Sequence, residues 1–266
     1  MSLTFGSLFA GIGGFDLGFE RAGMVCKWQV EIDDYANKVL SKHWPGVHRE
    51  RDIRECGKHN LERVDVICGG FPCQDISYAG LGAGLDGERS GLFFEAVRVV
   101  RELRPSVVVL ENVAALLTRG LDRVLGTMAS IGYDAEWHCI PAAAVGAPHI
   151  RDRVFVLAYS KNTHVSQVLQ KNPELCTQWT KRKFGRTDGL CQGDGRWALE
   201  PSVVRVVDGF PAQVDRLRGL GNAVVPQVAE FIGRQIVQHM TGGDDDAANI
   251  NTNPQTRGAC GCPDGY

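Results

Sequence analysis

Short apolar runs alternate with amphipathic stretches over the first 159 residues, and this alternation restricts the fold more than any other feature of the chain. The predicted strands are 3–9, 25–31, 64–68, 106–110, 133–140 and 153–159, and the predicted helices are 15–22, 34–43, 91–103 and 121–131. Strands that alternate with helices of about 10 to 15 residues are typical of βαβ units and of a parallel sheet. We therefore expect an α/β fold with a doubly wound, mostly parallel sheet in residues 1–159.

The remaining chain divides into three parts of different composition. Residues 160–200 are polar and rich in Lys and Arg, and they show no clear periodicity. Residues 201–240 return to helical patterning, and Pro226 suits the first turn of a closing helix. Residues 241–266 contain almost no large apolar side chains, so we expect a disordered tail there.

Composition and charge exclude several classes of protein. Hydrophobic residues make up 44% of the 266 residues and charged residues 23%, which excludes a collagen-like or coiled-coil chain. Lys and Arg number 29 against 31 Asp and Glu, so the whole chain is not a basic nucleic-acid coat. No apolar run reaches the ~18 residues of a membrane span, and the N-terminus lacks the basic region of a signal peptide. The nine cysteines are scattered without a C-x-x-C pair, which disfavours disulfides and zinc, so we expect a cytoplasmic protein without a metal.

A glycine-rich turn, FAGIGG at 9–14, follows the first predicted strand. Such a turn lets the backbone approach a nucleotide closely, but Asp16 stands where a dinucleotide fingerprint requires glycine. Glu31, at the end of the next strand, is placed to hold a ribose hydroxyl pair, and Asp52 to meet an adenine amino group. Together these residues indicate an adenosine pocket without a pyrophosphate site, a description that S-adenosylmethionine fits. The alternative is a purely structural turn with two solvated surface acids.

A candidate nucleophile and a candidate acid follow two neighbouring strands. Cys73 lies in GFPCQ, just past the end of the strand 64–68, in a glycine-rich loop where a thiol can be exposed and activated. Glu111 closes the strand 106–110, so adjacent parallel strands would bring it to the same edge of the sheet. A partly desolvated carboxyl group there should have a raised pKa and could supply a proton. An inert thiol and a helix N-terminal carboxylate are the alternatives.

Four motifs in this order, FAGIGG, GFPCQ, ENV and RLRGLGNAV, resemble the conserved blocks of the C5-cytosine DNA methyltransferases. The resemblance covers about 1–159 and 201–240. It implies a Rossmann-like, S-adenosylmethionine-dependent methyltransferase that flips a cytosine out of double-stranded DNA and methylates its C5 atom. It also implies that 160–200 is a very small target-recognition region and that 201–240 packs back on the catalytic domain.

The resemblance also assigns individual roles. Cys73 would be the nucleophile that adds to C6, Glu111 the acid at N3, Arg153 a contact to the base, and Arg151 its support. Phe9 would stack on adenine, Glu31 would hold the ribose, and Asp52 and Ile53 would contact the adenine. The other residues expected at the cofactor are Gly11, Gly13, Pro72, Leu92 and Asn222.

The basic region 160–200 is the expected DNA contact. Within 160–196 there are seven Lys and Arg against three acids, and Lys181, Arg182 and Lys183 form a continuous run. Phosphate contacts should dominate the affinity of this region, with a solvated loop as the alternative interpretation. Gln74 and Ser77 are further candidate DNA contacts in the loop after Cys73.

Two other functions are also compatible with the sequence. A methyltransferase of cytosine in tRNA would share GFPCQ-like and ENV-like blocks, but its Cys-Phe-Thr signature is absent. A non-catalytic DNA-binding relative is the second alternative, although Cys73, Glu111 and Arg153 are intact. The expected setting is a monomer in a bacterial or phage-infected cell. Restriction–modification with a cognate endonuclease and phage self-protection fit equally.

Overall fold

The computed structural model describes residues 2–72, 91–147, 151–161 and 219–241. Its seven strands are β1 Thr4–Leu8, β2 Val25–Val30, β3 His48–Glu50, β4 Val66–Gly70, β5 Val107–Val113, β6 Tyr133–Pro141 and β7 Asp152–Ser160. Its α-helices are α1 Gly14–Arg21, α2 Asp34–His43, α3 Leu92–Leu103, α4 Leu121–Ser130 and α5 Pro226–Thr241. Short 3₁₀ turns occupy Ile53–Glu55, Ala114–Thr118 and Ala142–Val145.

The seven strands form one sheet in the order β3-β2-β1-β4-β5-β7-β6. The pairs from β3 to β5 are parallel, whereas β7 runs antiparallel to both β5 and β6. The predicted doubly wound, mostly parallel α/β fold is therefore confirmed. Strand order reverses between β1 and β4, and such a switch point opens a crevice at the carboxyl ends of the strands.

Two element boundaries differ from the prediction in ways that affect the site. β5 continues to Val113, so Glu111 lies inside the strand and not just beyond it. The predicted strand 64–68 is shifted to Val66–Gly70, which places Gly69 and the first residue of GFPCQ, Gly70, inside β4. The short strand β3 was not predicted, because its three residues are partly exposed and carry no apolar pattern.

Helices cover both faces of the sheet. α3 and α4 pack on one face, where Phe93, Val100 and Val124 join a core with Ile67 and Val108. α1 and α5 pack on the other face, through a core that includes Phe15, Phe19, Ile232, Phe5 and Val109. The alternation of side chains along each strand explains this division, since successive residues of β4 enter opposite cores.

The predicted closing helix is found as α5, which lies directly against α1. A Cβ atom on Gly18 would fall 2.4 Å from Cβ of Ala229, and one on Gly233 would fall 2.8 Å from Cβ of Ala22. Larger side chains would force the two helices apart, so these small residues set the close approach. The expectations for the basic region, for 201–218 and for the C-terminal tail fall almost wholly outside the described residues.

No helix in the described ranges has the length and apolar character needed to span a membrane. Within the same ranges, no group of three or more His, Cys, Asp or Glu side chains is arranged to hold a metal ion.

Candidate functional site

A cavity of about 320 Å³ lies at the carboxyl ends of β1, β2, β4 and β5. This is the edge at which open α/β sheets bind ligands. The residues that line it include Phe9, Gly11, Glu31, Asp52, Ile53, Pro72, Leu92, Glu111, Arg153 and Asn222. Sequence positions from 9 to 222 therefore converge on one site.

The glycine turn forms one wall of the cavity. Phe9 and Gly11 both adopt positive φ, 53° and 56°, and the amide of Ala10 donates a hydrogen bond of 3.1 Å to the carbonyl of Val30. Phe9 is not a glycine, so this left-handed conformation costs free energy that the surrounding contacts must offset. Gly13 is needed for a different reason, because a Cβ atom there would fall 2.4 Å from the ring of Trp44. The structure thus places Gly13 against the α2 end and not at the cavity surface.

Glu31 connects the glycine turn with the start of α2. Its Oε2 accepts a hydrogen bond of 2.7 Å from the amide of Gly11, and its Oε1 accepts one of 2.8 Å from the amide of Asp33. The side chain is almost buried, with 9% of the residue exposed. An ionised carboxylate has about four acceptor positions, so Glu31 can still accept hydrogen bonds from ligand hydroxyls.

Asp52 and Ile53 form the opposite wall. Ile53 is buried, while both carboxylate oxygens of Asp52 accept hydrogen bonds from the guanidinium of Arg54, at 2.6 Å from Nη2 to Oδ2. These bonds from Arg54 lower the pKa of Asp52, which keeps it an acceptor. Arg54 also lines the cavity and was not predicted. In the sequence, only its position two residues after Asp52 could have indicated that the two side chains pair.

Glu111 reaches the cavity from β5. Gly70 of β4 is its register partner, and a Cβ atom on Gly70 would fall 2.7 Å from Oε2 of Glu111. The glycine therefore leaves the space that the carboxyl group occupies. The neighbouring Asn112 is buried and donates a hydrogen bond of 3.2 Å to the carbonyl of Phe71. Asn112 thus holds the chain where it leaves β4, a role that the ENV motif alone did not reveal.

Burial and positive charge act on Glu111 in opposite directions. Arg153 forms an ion pair with it, with 2.9 Å between Nε and Oε1. Burial nevertheless raises the pKa of Glu111 to about 7, against the opposing effects of Arg153 and Arg151. A close ion pair alone would lower this pKa, but desolvation of a fully enclosed carboxyl group is the larger effect here. Glu111 can therefore hold or release a proton near neutral pH.

Arg151, just before β7, connects this part of the chain to the late GNAV motif. Its Nη2 donates a hydrogen bond of 2.6 Å to the carbonyl of Ala223. The adjacent Asn222 lines the cavity, and Val224 packs so closely on α1 that a Cβ atom on Gly14 would fall 2.3 Å from its carbonyl oxygen. Arg151 is not among the residues that line the cavity in the described part of the chain.

The structure brings together most of the predicted site residues that it describes. Eight of the nine predicted cofactor residues line the cavity, all except Gly13, and Glu111 and Arg153 join them. Cys73, Gln74, Ser77, Lys181, Arg182 and Lys183 lie outside the described residues.

A model of the C-5 cytosine-specific DNA methylase family matches residues 3–188. This match covers more than half of the chain, and the chain belongs to that family. The family consists of DNA (cytosine-5-)-methyltransferases, which implies the use of S-adenosylmethionine.

The relatives include enzymes of bacteria and of a virus. Type II methyltransferase M2.BsuMI of Bacillus subtilis (strain 168) is 36% identical, over 87% of this chain and 75% of that protein. Type II methyltransferase M.HhaI of Haemophilus parahaemolyticus is 34% identical over 61% of this chain, and M.CviJI of Paramecium bursaria Chlorella virus IL3A is 32% identical over 82%. The alignments span only 51% and 58% of the latter two relatives.

Solved structures agree on the fold. A DNA modification methyltransferase encoded within a prophage of E. coli superimposes with a TM-score of 0.50 and 28% identity, over 60% of this chain and 47% of that chain. DNMT2 of Spodoptera frugiperda superimposes with a TM-score of 0.51 and 21% identity, over 60% of this chain and 51% of that chain, and supports the fold alone.

Proposed function

We propose that this chain transfers a methyl group from S-adenosylmethionine to C5 of a flipped cytosine in double-stranded DNA. The observation that carries the proposal is Glu111, a buried carboxyl group with a pKa raised to about 7 that lines the same cavity as Glu31 and Asp52. Few structural roles require such a group at the ligand edge of a sheet, whereas general acid catalysis does.

The cavity fits S-adenosylmethionine in its chemistry. Glu31 supplies acceptors for a ribose, Asp52 supplies an ionised acceptor for an adenine amino group, and Ile53 and Leu92 supply apolar surface. The left-handed turn at Phe9 and Gly11 exposes backbone to the same space. When bound, the cofactor supplies the electrophilic methyl group that C5 accepts.

Cys73 and Glu111 act on the base in this proposal. C5 of cytosine is a poor nucleophile because the ring is aromatic and electron-poor. The thiolate of Cys73 adds to C6 while Glu111 holds a proton at N3, and C5 becomes an enamine carbon. After methylation, loss of the C5 proton and elimination of the thiolate restore the aromatic ring. C6 is inaccessible within the base stack, so the cytosine must be flipped.

The register of the sheet supports this pairing of nucleophile and acid. Gly70 lies beside Glu111, and Cys73 follows Gly70 by three residues in the sequence. Three residues of extended chain span at most about 11 Å, which limits how far Cys73 can be from Gly70. Arg153 and Arg151 supply positive charge that limits the rise in the pKa of Glu111.

The DNA contacts follow from the basic sequence beyond β7. Lys181, Arg182 and Lys183 are proposed to bind phosphates, and Gln74 and Ser77 to contact the DNA beside the flipped base. We further propose a monomer that acts on DNA in the cytoplasm of a bacterial or phage-infected cell. The names of the type II relatives favour modification of DNA alongside a cognate endonuclease, while the prophage-encoded relative favours self-protection.

A labelling experiment tests the activity. The protein is incubated with tritium-labelled S-adenosylmethionine and either double-stranded DNA or tRNA, and the products are digested to nucleosides. We expect label in 5-methyldeoxycytidine, and a loss of label in the Glu111→Gln variant. Label in RNA alone would contradict the proposed substrate, and label on the exocyclic amine would contradict the mechanism. Cofactor binding without any transfer would indicate a non-catalytic relative. Bisulfite sequencing of DNA from an expressing cell then identifies the methylated motif.

A further inference from the structure

Arg98, on α3, uses all five of its N–H donors in hydrogen bonds beside the cavity. Nη2 donates to the carbonyls of Ile53, at 2.9 Å, and Arg54, at 3.5 Å. Nη1 donates to the carbonyl of Cys56, at 2.8 Å, and to Oε1 of Glu102, at 3.0 Å, while Nε donates to Oε2 of Glu95, at 2.8 Å. Three of these five acceptors are backbone carbonyls of residues 53–56, two in a short 3₁₀ turn and one in the residue that caps it.

This turn, Ile53–Glu55, directly follows Asp52 and forms the cavity wall opposite the glycine turn. The carbonyl of Ile53 accepts a hydrogen bond from the amide of Cys56, and the carbonyls that follow it need donors from outside the turn. Arg98 supplies donors to Arg54 and Cys56 from α3 and adds a second one to Ile53. The planar guanidinium fixes the directions of its donors, which the flexible ammonium of a lysine cannot do.

A second contact fastens the same segment to α3. Glu102, the partner of Arg98, also accepts a hydrogen bond of 3.2 Å from the amide of Lys58. A Cβ atom on Gly57 would fall 2.4 Å from Oε2 of Glu102, so the chain approaches the acid closely at this glycine. Residues 53–58 are thus held to α3 at several points.

The helix that holds this wall also contributes to the cavity. α3 begins at Leu92, which lines the cavity, and Arg98 lies less than two turns further along. The wall residue Ile53 and the helix residue Leu92 therefore stand in a fixed relation as long as Arg98 connects them. A ligand that contacts both depends on that relation.

From these contacts we propose that Arg98 is a positioning residue for the cofactor, which sets the place of Asp52 and Ile53 relative to Leu92. The inference rests on the proposed function, because it assumes that S-adenosylmethionine binds in this cavity with its adenosine toward Asp52. Arg98 itself does not line the cavity in the described structure, so it acts through the wall.

Three variants test this role. Arg98→Met removes the donors and the charge but keeps a long apolar side chain, and Arg98→Lys keeps the charge with three donors. Arg101→Met is the matched control, because Arg101 is exposed on the same helix. Calorimetry gives the Kd of S-adenosylmethionine and of 5′-methylthioadenosine, which lacks the amino-acid part. Turnover on DNA at saturating cofactor gives kcat.

We expect Arg98→Met to raise both Kd values by about tenfold or more, with kcat within about threefold of the parent. The Kd values of Arg98→Lys should lie between those of the parent and of Arg98→Met, and those of Arg101→Met should match the parent. A Kd within twofold of the parent in Arg98→Met would overturn the proposal, even if Tm falls. So would a loss of affinity confined to the full cofactor. If Arg98→Met does not fold, an unchanged Kd in Arg98→Lys would overturn it.

Amide hydrogen exchange in the cofactor-free protein provides a readout that does not need the proposed function. Residues 53–58 should exchange faster in Arg98→Lys than in the parent or in Arg101→Met. Unchanged exchange there would show that Arg98 does not hold the wall. A parent protein that shows protection of 53–58 but no cofactor binding would contradict the proposed function, while the contacts of Arg98 with 53–58 would stand.

Discussion

Glu111 and Arg153 lie on the same face of two antiparallel neighbouring strands, and 2.9 Å separates Nε of Arg153 from Oε1 of Glu111. Glu111 pairs in register with Phe155, and Arg153 is two residues before Phe155 on β7. The antiparallel strand β7 thus brings a cation to an acid that otherwise stands in a buried environment. The acid keeps a pKa of about 7 because burial outweighs this cation.

Arg153→Met should raise the pKa of Glu111 above 7, since it removes the largest opposing effect. We expect the rate of single-turnover methylation to fall by roughly 10²-fold, because Glu111 loses the partner that positions it and a positioned general acid contributes at least about this factor. The Kd of the cofactor should change little. Arg153→Lys should lose less activity because it keeps the charge. Arg234→Met removes an exposed arginine of α5 and serves as the control. Unchanged turnover in Arg153→Met would show that Arg153 does not support Glu111 in the reaction.

Glu31→Ala should weaken S-adenosylmethionine binding by about 1–3 kcal/mol, because two backbone amides and the ligand hydroxyls all lose an acceptor. The maximal rate at saturating cofactor should fall much less. Calorimetric titration measures the affinity, and Glu20→Ala on the exposed side of α1 is the control. An unchanged Kd would mean that Glu31 does not hold the ribose.

Asp16→Asn should change the pH dependence of stability. Asp16 is fully buried and accepts hydrogen bonds from Ser7 and Gln29, and burial raises its pKa to about 6. The folded state then keeps a proton that the unfolded state has already released, so the contribution of Asp16 is fully present only below the unfolded pKa. It is lost as the pH rises through about 6.

Relative to the asparagine variant, the parent should therefore lose about 2 kcal/mol of unfolding free energy between about pH 4.5 and about pH 7.5. Urea unfolding of both proteins across this range measures the difference. A constant difference between the two proteins would show that Asp16 does not titrate in the folded state over this range.

Simultaneous replacement of Lys181, Arg182 and Lys183 by alanine tests the basic region. Loss of three phosphate contacts should make the slope of log affinity against log salt shallower by up to ~2.7. Binding should weaken on every DNA sequence alike, and the methylated motif should not change. A relaxed motif with an unchanged salt slope would mean that these residues read bases. We also expect a short motif, so a strict site of six or more base pairs would contradict that expectation.

The sequence was sufficient for the parts of the site that local patterns encode. The alternation of apolar runs predicted the sheet, the glycine turn predicted one wall of the cavity, and the strand ends predicted that Glu31 and Glu111 lie at it. The sequence did not predict that β7 runs antiparallel, because strand direction depends on contacts far apart in the chain.

Partners that arrive from distant elements were likewise missed. Asn112 holds Phe71 across 41 residues, and Arg98 reaches Cys56 across 42. Gly13 is expected at the cofactor from the family resemblance, and the structure adds that it packs against Trp44 at the end of α2. Such contacts depend on how distant segments pack together, and the local sequence pattern does not specify that.

Trapping on DNA that contains 5-fluorocytosine in place of the target cytosine tests the central claim most directly. Fluorine cannot leave as the C5 proton does, so the covalent bond to the nucleophile should persist. Mass spectrometry should find a methylated base attached to Cys73. The complex should be absent in Cys73→Ala, which should still bind S-adenosylmethionine but transfer no methyl group, and it should persist in Cys139→Ala, which removes an exposed thiol elsewhere. An adduct at another residue, or turnover in Cys73→Ala within about tenfold of the parent, would contradict the account.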